Sequence, residues 1–223
     1  MIKDWESLLD PYIQAVGELK IKLRGIRKQY RKANRHSPIE FVTGRVKHVD
    51  SIKEKMARMQ ISEDRLEADM HDIAGLRIMV QFVDDIADVV DLLASRTDMT
   101  IVMERDYITH MKPSGYRSYH LIISYPVNTL SGIKTILAEI QIRTLSMNFW
   151  ATIEHSLNYK YKGQIPEDIQ DRLTATAKIA YALDEEMSKI RDDIQEAQVL
   201  FDPAYRKIKD GVGNSDDGDD EYR

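Results

Sequence analysis

The stretch Glu139-Ile-Gln-Ile-Arg-Thr144 constrains this chain most. Strand side chains alternate between two faces, so Glu139 and Gln141 fall on one side and Ile140 and Ile142 on the other. The apolar pair suits a core, while the carboxylate and the amide suit a cleft. Upstream, Asp72-Ile-Ala-Gly-Leu-Arg-Ile-Met-Val80 is a second strand-like run that opens on a carboxylate. It is apolar nearly throughout, as a strand covered on both faces would be. Between the two, Lys112-Pro-Ser-Gly-Tyr-Arg-Ser-Tyr-His120 reads as a turn with basic and aromatic groups. Two strand-borne carboxylates ringed by Arg, Lys, Tyr and His point to divalent-metal nucleotide chemistry.

Around these stretches the periodicities predict an order of elements. Residues 3–33 carry apolar side chains at threes and fours, from Trp5 to Tyr30, and form a helix that Ser37-Pro38 ends. An extended basic piece, Gly44-Arg-Val-Lys-His48, precedes a second helix over Val49–Met59. Then come a strand near 73–82, a helix near 84–95 with Asp84 as N-cap, and strands near 99–105, 118–126 and 134–143. Short links after the second and third of these strands require some antiparallel pairing. Helices follow over Leu145–Tyr161 and from Pro166 to about Phe201. The fold class expected is α+β (mixed α/β), with a mixed sheet of about five strands flanked by helices. Helical extensions lie at both ends. The expected organisation is a helical extension over 1–40, a catalytic domain over 41–162, a helical oligomerisation region over 163–208, and a disordered acidic tail over 209–223.

Charge sharpens this reading. The formal net charge of -5 resides in the acidic end from Asp210 onward, so the remaining residues are formally neutral. Within them, Lys20 to Arg58 holds thirteen Lys or Arg against Glu40, Asp50 and Glu54. A basic block on a neutral body implies a local anionic partner. With no cysteine, disulfides, thiolate metal sites and a cysteine nucleophile are excluded, in keeping with a reducing cytoplasm. The chain opens on Met-Ile-Lys-Asp-Trp-Glu rather than an apolar leader, and its most apolar run, Leu76–Val83, is too short to span a bilayer. A cytoplasmic protein with no membrane partner is expected.

Each motif admits two readings. Asp72 and Glu139 either share a Mg²⁺ or cap strand ends and pair with a nearby Arg. Arg45, Lys47, Lys55, Arg58, Arg77 and Arg105 either ring a triphosphate or form a solvated face; Arg suits bidentate phosphate contacts and stacking on a base. Arg77 stands apart, because an unpaired charge inside an apolar strand is costly and must meet a carboxylate or a ligand. Tyr116 either stacks on a base, with Lys112 and His120 reaching phosphate, or is a packed hairpin aromatic. His71-Asp72 resembles the start of a metal phosphohydrolase centre, but the further His and Asp ligands at suitable spacing are missing. Neither a G-x-x-x-x-G-K-[ST] loop nor G-x-G-x-x-G occurs, so nucleotides would be held by side chains on a sheet.

Four blocks in order resemble the synthetase domain of RelA/SpoT enzymes: Gly44-Arg-Val-Lys-His48, Asp72-Ile-Ala-Gly-Leu-Arg77, Asp106-Tyr107-Ile108 with Lys112–His120, and Glu139–Thr144. The resemblance runs from about 40 to 162. The flanking helices, including Asn148-Phe-Trp-Ala-Thr-Ile-Glu-His-Ser-Leu-Asn158, are similar to small alarmone synthetases of the RelQ type. The resemblance implies a nucleotidyltransferase-like sheet and transfer of pyrophosphate from ATP to the 3′-hydroxyl of GTP or GDP, with AMP leaving and (p)ppGpp formed. It implies Asp72 and Glu139 as Mg²⁺ ligands, with Glu139 also the base for the 3′-hydroxyl. Arg45 and Arg77 would sandwich adenine, and Lys47, Lys55, Arg58 and Arg105 would steer the ATP phosphates. Tyr116 would stack on guanine, with Lys112, His120 and Gln141 beside the acceptor. It further implies a homotetramer whose central cleft takes the alarmone itself, lined by Arg24, Phe41, Thr43, Asn148 and Glu154.

Two other functions compete. A protein binding single-stranded RNA through the basic 20–58 segment would lose affinity steeply with salt and be indifferent to Glu139→Ala. A catalytically inactive nucleotide sensor would have no need of Asp72, Glu139 and Tyr116 together.

Overall fold

In a computed structural model, residue 2, residues 4–160 and residues 166–201 are described, the side chains of 158–160 and 199–201 excepted. The chain divides into two compact units, 1–184 and 185–223. The sheet and every site residue below belong to the first. Helix α1 (Trp5–Lys32) starts where Asp4 accepts a hydrogen bond from the Ser7 N–H at 3.0 Å. Strand β1 (Phe41–Val46) leads to α2 (Val49–Met59), a 3₁₀ turn (Glu63–Arg65) and the short α3 (Leu66–Asp69). Strand β2 (Ala74–Val80), α4 (Asp85–Ala94), β3 (Thr100–Asp106), β4 (Tyr119–Thr129) and β5 (Gly132–Thr144) follow. Helices α5 (Leu145–Lys160) and α6 (Glu167–Phe201) close the described chain. Tyr161 and the expected acidic tail lie outside the described residues.

The five strands form one mixed sheet in the order β1-β2-β5-β4-β3. Only β2 and β5 run parallel; the other pairs are antiparallel, as the short links require. Alternation then separates two faces. Val42, Leu76, Ile78, Ile140, Ile142, Leu121 and Ile123 are buried in a core that also takes Tyr12, Val16, Leu19 and Leu23 from α1 and Val89 and Leu93 from α4. Gly44 lies where β1 passes beneath α1: a Cβ there would come within 2.9 Å of Val16 Cγ1. Burying one Leu or Ile of this face stabilises the fold by about 1.5–3 kcal/mol relative to leaving it in water. Polar residues collect on the other face.

A second small core joins Trp150 and Ala151 of α5 to Ala177 of α6, with Tyr116 and Ala180 packed against it. Trp150 Nε1–H is fixed there by the Leu173 carbonyl at 3.0 Å. At Gly115, with φ +87°, a Cβ would stand 2.4 Å from that of Ala177, so only glycine lets the loop approach α6 so closely.

Two local expectations need correction. Asp72 lies on the turn before β2 rather than in the strand. Asp84 occupies the N-cap position of α4 but makes no side-chain capping bond. Its neighbour Asp85, 2 % exposed, instead accepts from the Phe82 N–H at 3.1 Å and meets His36 Nε2 at 2.7 Å. Among the described residues, no helix is long and apolar enough to cross a membrane.

Candidate active site

Cross-strand partners share a face, so a row of side chains can be followed across the whole sheet. Thr43 on β1 is opposite Arg77 on β2, Arg77 opposite Gln141 on β5, Gln141 opposite His120 on β4, and His120 opposite Arg105 on β3. The neighbouring row runs Arg45, Gly75, Glu139. With no side chain at Gly75, the floor stays open between Arg45 and Glu139. A cleft of about 540 Å³ lies over these rows, walled on its far side by Ala151, Thr152, Glu154 and His155 of α5.

At the β1 end of the cleft stands Asp72. The Lys47 N–H donates to the Ile73 carbonyl at 2.8 Å, which carries the β1–β2 ladder one step past the strand and brings Lys47 beside the turn. Lys47 Nζ then reaches one Asp72 oxygen at 2.9 Å and Lys55 Nζ, from α2, reaches the other at 2.7 Å. Burial works to raise the Asp72 carboxyl, but the two ammonium groups outweigh it and hold it below the ordinary range.

At the β4–β5 end, five side chains close a ring of hydrogen bonds. Glu139 Oε1 meets His120 Nδ1 at 3.0 Å, and His120 Nε2 meets the Tyr116 hydroxyl at 2.9 Å. Arg143 Nη2 donates both to that hydroxyl and, at 2.9 Å, to Gln141 Oε1. Gln141 Nε2 returns to Glu139 Oε2 at 2.8 Å. Burial of Glu139 works against its charge, yet His120 and Gln141 prevail and its carboxyl lies below the ordinary value. The nearby charge of Asp72 opposes them. A carboxylate held ionised and oriented by two donors is equipped to accept a proton.

Between these ends lies Arg77, half-buried, with Nη1 donating to Asn148 Oδ1 at 3.2 Å and Nε buried without a hydrogen-bond partner. Burial and the like charge of Arg143 push its guanidinium below the ordinary value. Among the described residues neither Arg77 nor Arg143 forms an ion pair. Of the two partners expected for a charge inside an apolar strand, a carboxylate is therefore not paired with Arg77 among the described residues.

The structure therefore brings together Arg45, Lys47, Asp72, Arg77, Tyr116, Glu139 and Gln141 on the cleft itself, with Lys55 and His120 bonded to its carboxylates. Lys112 sits over the rings of Tyr107 and Tyr116, its Nζ 4.4 and 5.1 Å from their centroids. Arg105 stands on the cleft face at the β3 edge, exposed, and Arg58 is exposed one turn beyond Lys55 on α2. Neither lines the cleft. Of the residues expected at an alarmone cleft, Thr43 and Glu154 line this same cavity and Asn148 holds Arg77. Phe41, 40 % exposed, extends the Thr43–Arg45 face of β1, and Arg24 is exposed on α1. The residue missed by sequence reasoning is Arg143. The alternation that places Glu139 and Gln141 on the cleft face places Arg143 there too.

The profile of the region found in RelA and SpoT proteins matches residues 44–164. The chain belongs to the RelA/SpoT family. Every residue of the ring and both lysines on Asp72 fall inside the matched region, whereas Arg24, Phe41 and Thr43 precede it. Among RelA/SpoT relatives, the GTP pyrophosphokinase YjbM of Bacillus subtilis is 61% identical over 199 residues, which span 89% of this chain and 94% of that one. A GTP pyrophosphokinase family protein from Streptococcus pneumoniae superposes with a TM-score of 0.84 at 72% identity, covering 91% of this chain and all of that one. The small alarmone synthetase 1 of B. subtilis, solved with its product pppGpp, superposes with a TM-score of 0.82 at 61% identity, covering 86% and 98%.

Proposed function

We propose that this RelA/SpoT-family protein is a (p)ppGpp synthetase, a GTP pyrophosphokinase that takes ATP as donor and GTP or GDP as acceptor. The acceptor 3′-oxygen attacks the β-phosphorus of ATP. The bond from that phosphorus to the α,β-bridging oxygen breaks, AMP departs with the oxygen, and the 3′-hydroxyl proton passes to Glu139. The β,γ-pyrophosphate thus moves intact. The observation that carries this reading is the closed ring, which presents an ionised Glu139 in the same cleft as Asp72, Arg45, Lys47 and Arg77. Gathering two polyphosphates demands many cations in one place, and positioning with charge neutralisation accounts for most phosphoryl-type catalysis.

In this reading Arg45 and Arg77 take the adenine, and Lys47 and Lys55, with Arg58 and Arg105 at the margin, take the ATP phosphates. Tyr116 stacks on guanine beside Lys112, His120 and Gln141. The donor set fits a magnesium ion that arrives with the nucleotide. Among the described residues no three acidic or imidazole groups cluster as a metal cage, and Mg²⁺ typically takes one or two carboxylates, completing its shell with water and phosphate. Asp72 and Glu139 would hold it, and it would neutralise charge on the moving phosphates.

A homotetramer is part of the proposal. Supporting it, Ile179, Leu183, Met187, Ile190 and Ile194 recur three or four residues apart along α6 and are all at least 42% exposed. Alarmone binding by Arg24, Phe41, Thr43, Asn148 and Glu154 is proposed on the resemblance. Single-stranded RNA draws less support as a ligand, because four of the thirteen basic side chains of that block are already ion-paired. Lys22 pairs with Asp98, Arg27 with Glu40, and Lys47 and Lys55 with Asp72.

The test is direct. Purified protein, Mg²⁺, GTP and ATP labelled on the γ-phosphate should yield label on a guanosine species more phosphorylated than GTP, together with AMP. Both products should vanish in Glu139→Gln. Label found only as free phosphate, or left in ATP even with added alarmone, overturns the proposal.

A further inference from the structure

Arg143 is 5% exposed, and the hydrogen bonds it makes all go to neutral groups. Nε donates to Ser118 Oγ at 3.2 Å, and Nη2 is shared between the Tyr116 hydroxyl and Gln141 Oε1. Its Cζ also lies 5.1 Å from the centre of the Tyr116 ring. Ser118 in turn donates to the Ile142 carbonyl at 3.3 Å, so the guanidinium is anchored through Nε to the backbone of its own strand. A buried cation held by neutral partners is expensive unless the fixed geometry serves something else. What this geometry fixes is the orientation of Tyr116 and Gln141. Tyr116 otherwise rests on the small second core, on His120 and on the edge of Tyr107, with Lys112 over its ring.

We propose that Arg143 is the positioning residue of the acceptor-binding wall, holding the Tyr116 ring and the Gln141 amide in the orientation that receives the guanosine nucleotide. This rests on the proposed function, since the acceptor assignment of Tyr116 and Gln141 belongs to it. Arginine is required because one planar fork must serve Ser118 from Nε and the Tyr116–Gln141 pair from Nη2. A lysine supplies the charge without the fork.

The experiment compares wild type with Arg143→Lys and Arg143→Met. GDP binding and binding of a non-hydrolysable ATP analogue are measured by calorimetry, alongside steady-state KM for each substrate and thermal unfolding. Loss of a fixed charge-assisted contact predicts weaker GDP binding and a higher acceptor KM by about tenfold or more in both variants. Binding of the ATP analogue should stay within about threefold, and kcat at saturating acceptor should fall by less than the acceptor KM rises. Tyr116→Phe removes the hydroxyl and keeps the ring, so adding it to Arg143→Lys should weaken GDP binding by less than the product of the two single effects. The proposal is overturned if lysine behaves as wild type, if donor and acceptor weaken together with a fall in melting temperature, or if the two substitutions multiply. If wild type binds GDP with these contrasts yet transfers no pyrophosphate, the proposed function fails and the positioning role stands. If wild type does not bind GDP, both fail.

Discussion

The two ends of the cleft hold their charges differently. At the β1 end, Lys47 and Lys55 grip one carboxylate, Asp72, through ion pairs alone. Lysines on flexible stems can pass from a carboxylate to a phosphate with little rearrangement, so this end suits a substrate that brings its own charge and metal. At the β4–β5 end, Tyr116, His120, Glu139, Gln141 and Arg143 lock one another in a ring in which each side chain fixes the next. Such a ring is preorganised and little needs to move at the moment of reaction. Under the proposed function this contrast is a division of labour: exchangeable charge for the donor, fixed geometry for the acceptor and base.

Breaking the ring at its base should have the largest effect. Glu139→Gln keeps the shape and one acceptor oxygen but removes the proton acceptor, and transfer should fall by about 10²–10⁴-fold in the labelled-ATP assay. Asp72→Asn should cost about a hundredfold in kcat. Because it releases Lys47 and Lys55, its KM for ATP should rise far less than its kcat falls, as steady-state kinetics in both substrates will show. Gly115→Ala sharpens the contrast from the packing side. The left-handed backbone and the clash with Ala177 should destabilise the fold by about 1–3 kcal/mol in denaturant titrations, raising the acceptor KM ahead of the donor KM. Smallest of all, Arg58→Ala should change the ATP KM by no more than about fivefold, since an exposed charge contributes little.

Acidity gives an independent handle. Asp72 and Glu139 both lie below their ordinary values of 3.8 and 4.5. A carboxyl lowered by folding contributes stability that is complete above its unfolded value and is lost as pH falls through the folded one. Both groups are therefore ionised throughout the neutral range, and the acid limb of kcat/KM due to Glu139 should lie below its ordinary value. A limb assigned to Glu139 by its loss in Glu139→Gln, yet centred above about pH 5, would contradict the hydrogen-bonded carboxylate seen here.

Much of this arrangement was legible in the chain because it follows from period-two alternation. The face shared by Glu139 and Gln141, the buried partners Ile140 and Ile142, and the mixed pairing all come from local pattern and link length. The same alternation carries Arg143, whose role was hidden because a lone Arg at a strand end has a solvated alternative. Pairings distant in sequence were not legible: Lys47 and Lys55 meet Asp72 only once β1, α2 and the turn before β2 are packed. For the same reason the basic block read as freer than it is, with Lys22 and Arg27 spent on Asp98 and Glu40. Asp84 misled as a cap because the buried Asp85 beside it holds the Phe82 N–H instead. His71, which with Asp72 resembles the start of a metal phosphohydrolase centre, meets the Ala68 carbonyl at 3.2 Å.

The central claim is that donor and acceptor are held by separable ends of one cleft. It is tested most directly by titrating Arg45→Ala and Tyr116→Ala, each with GDP and with a non-hydrolysable ATP analogue in the presence of Mg²⁺. The account predicts a crossed result, in which Arg45→Ala weakens the ATP analogue and spares GDP while Tyr116→Ala does the reverse. Equal weakening of both ligands in either variant would contradict it.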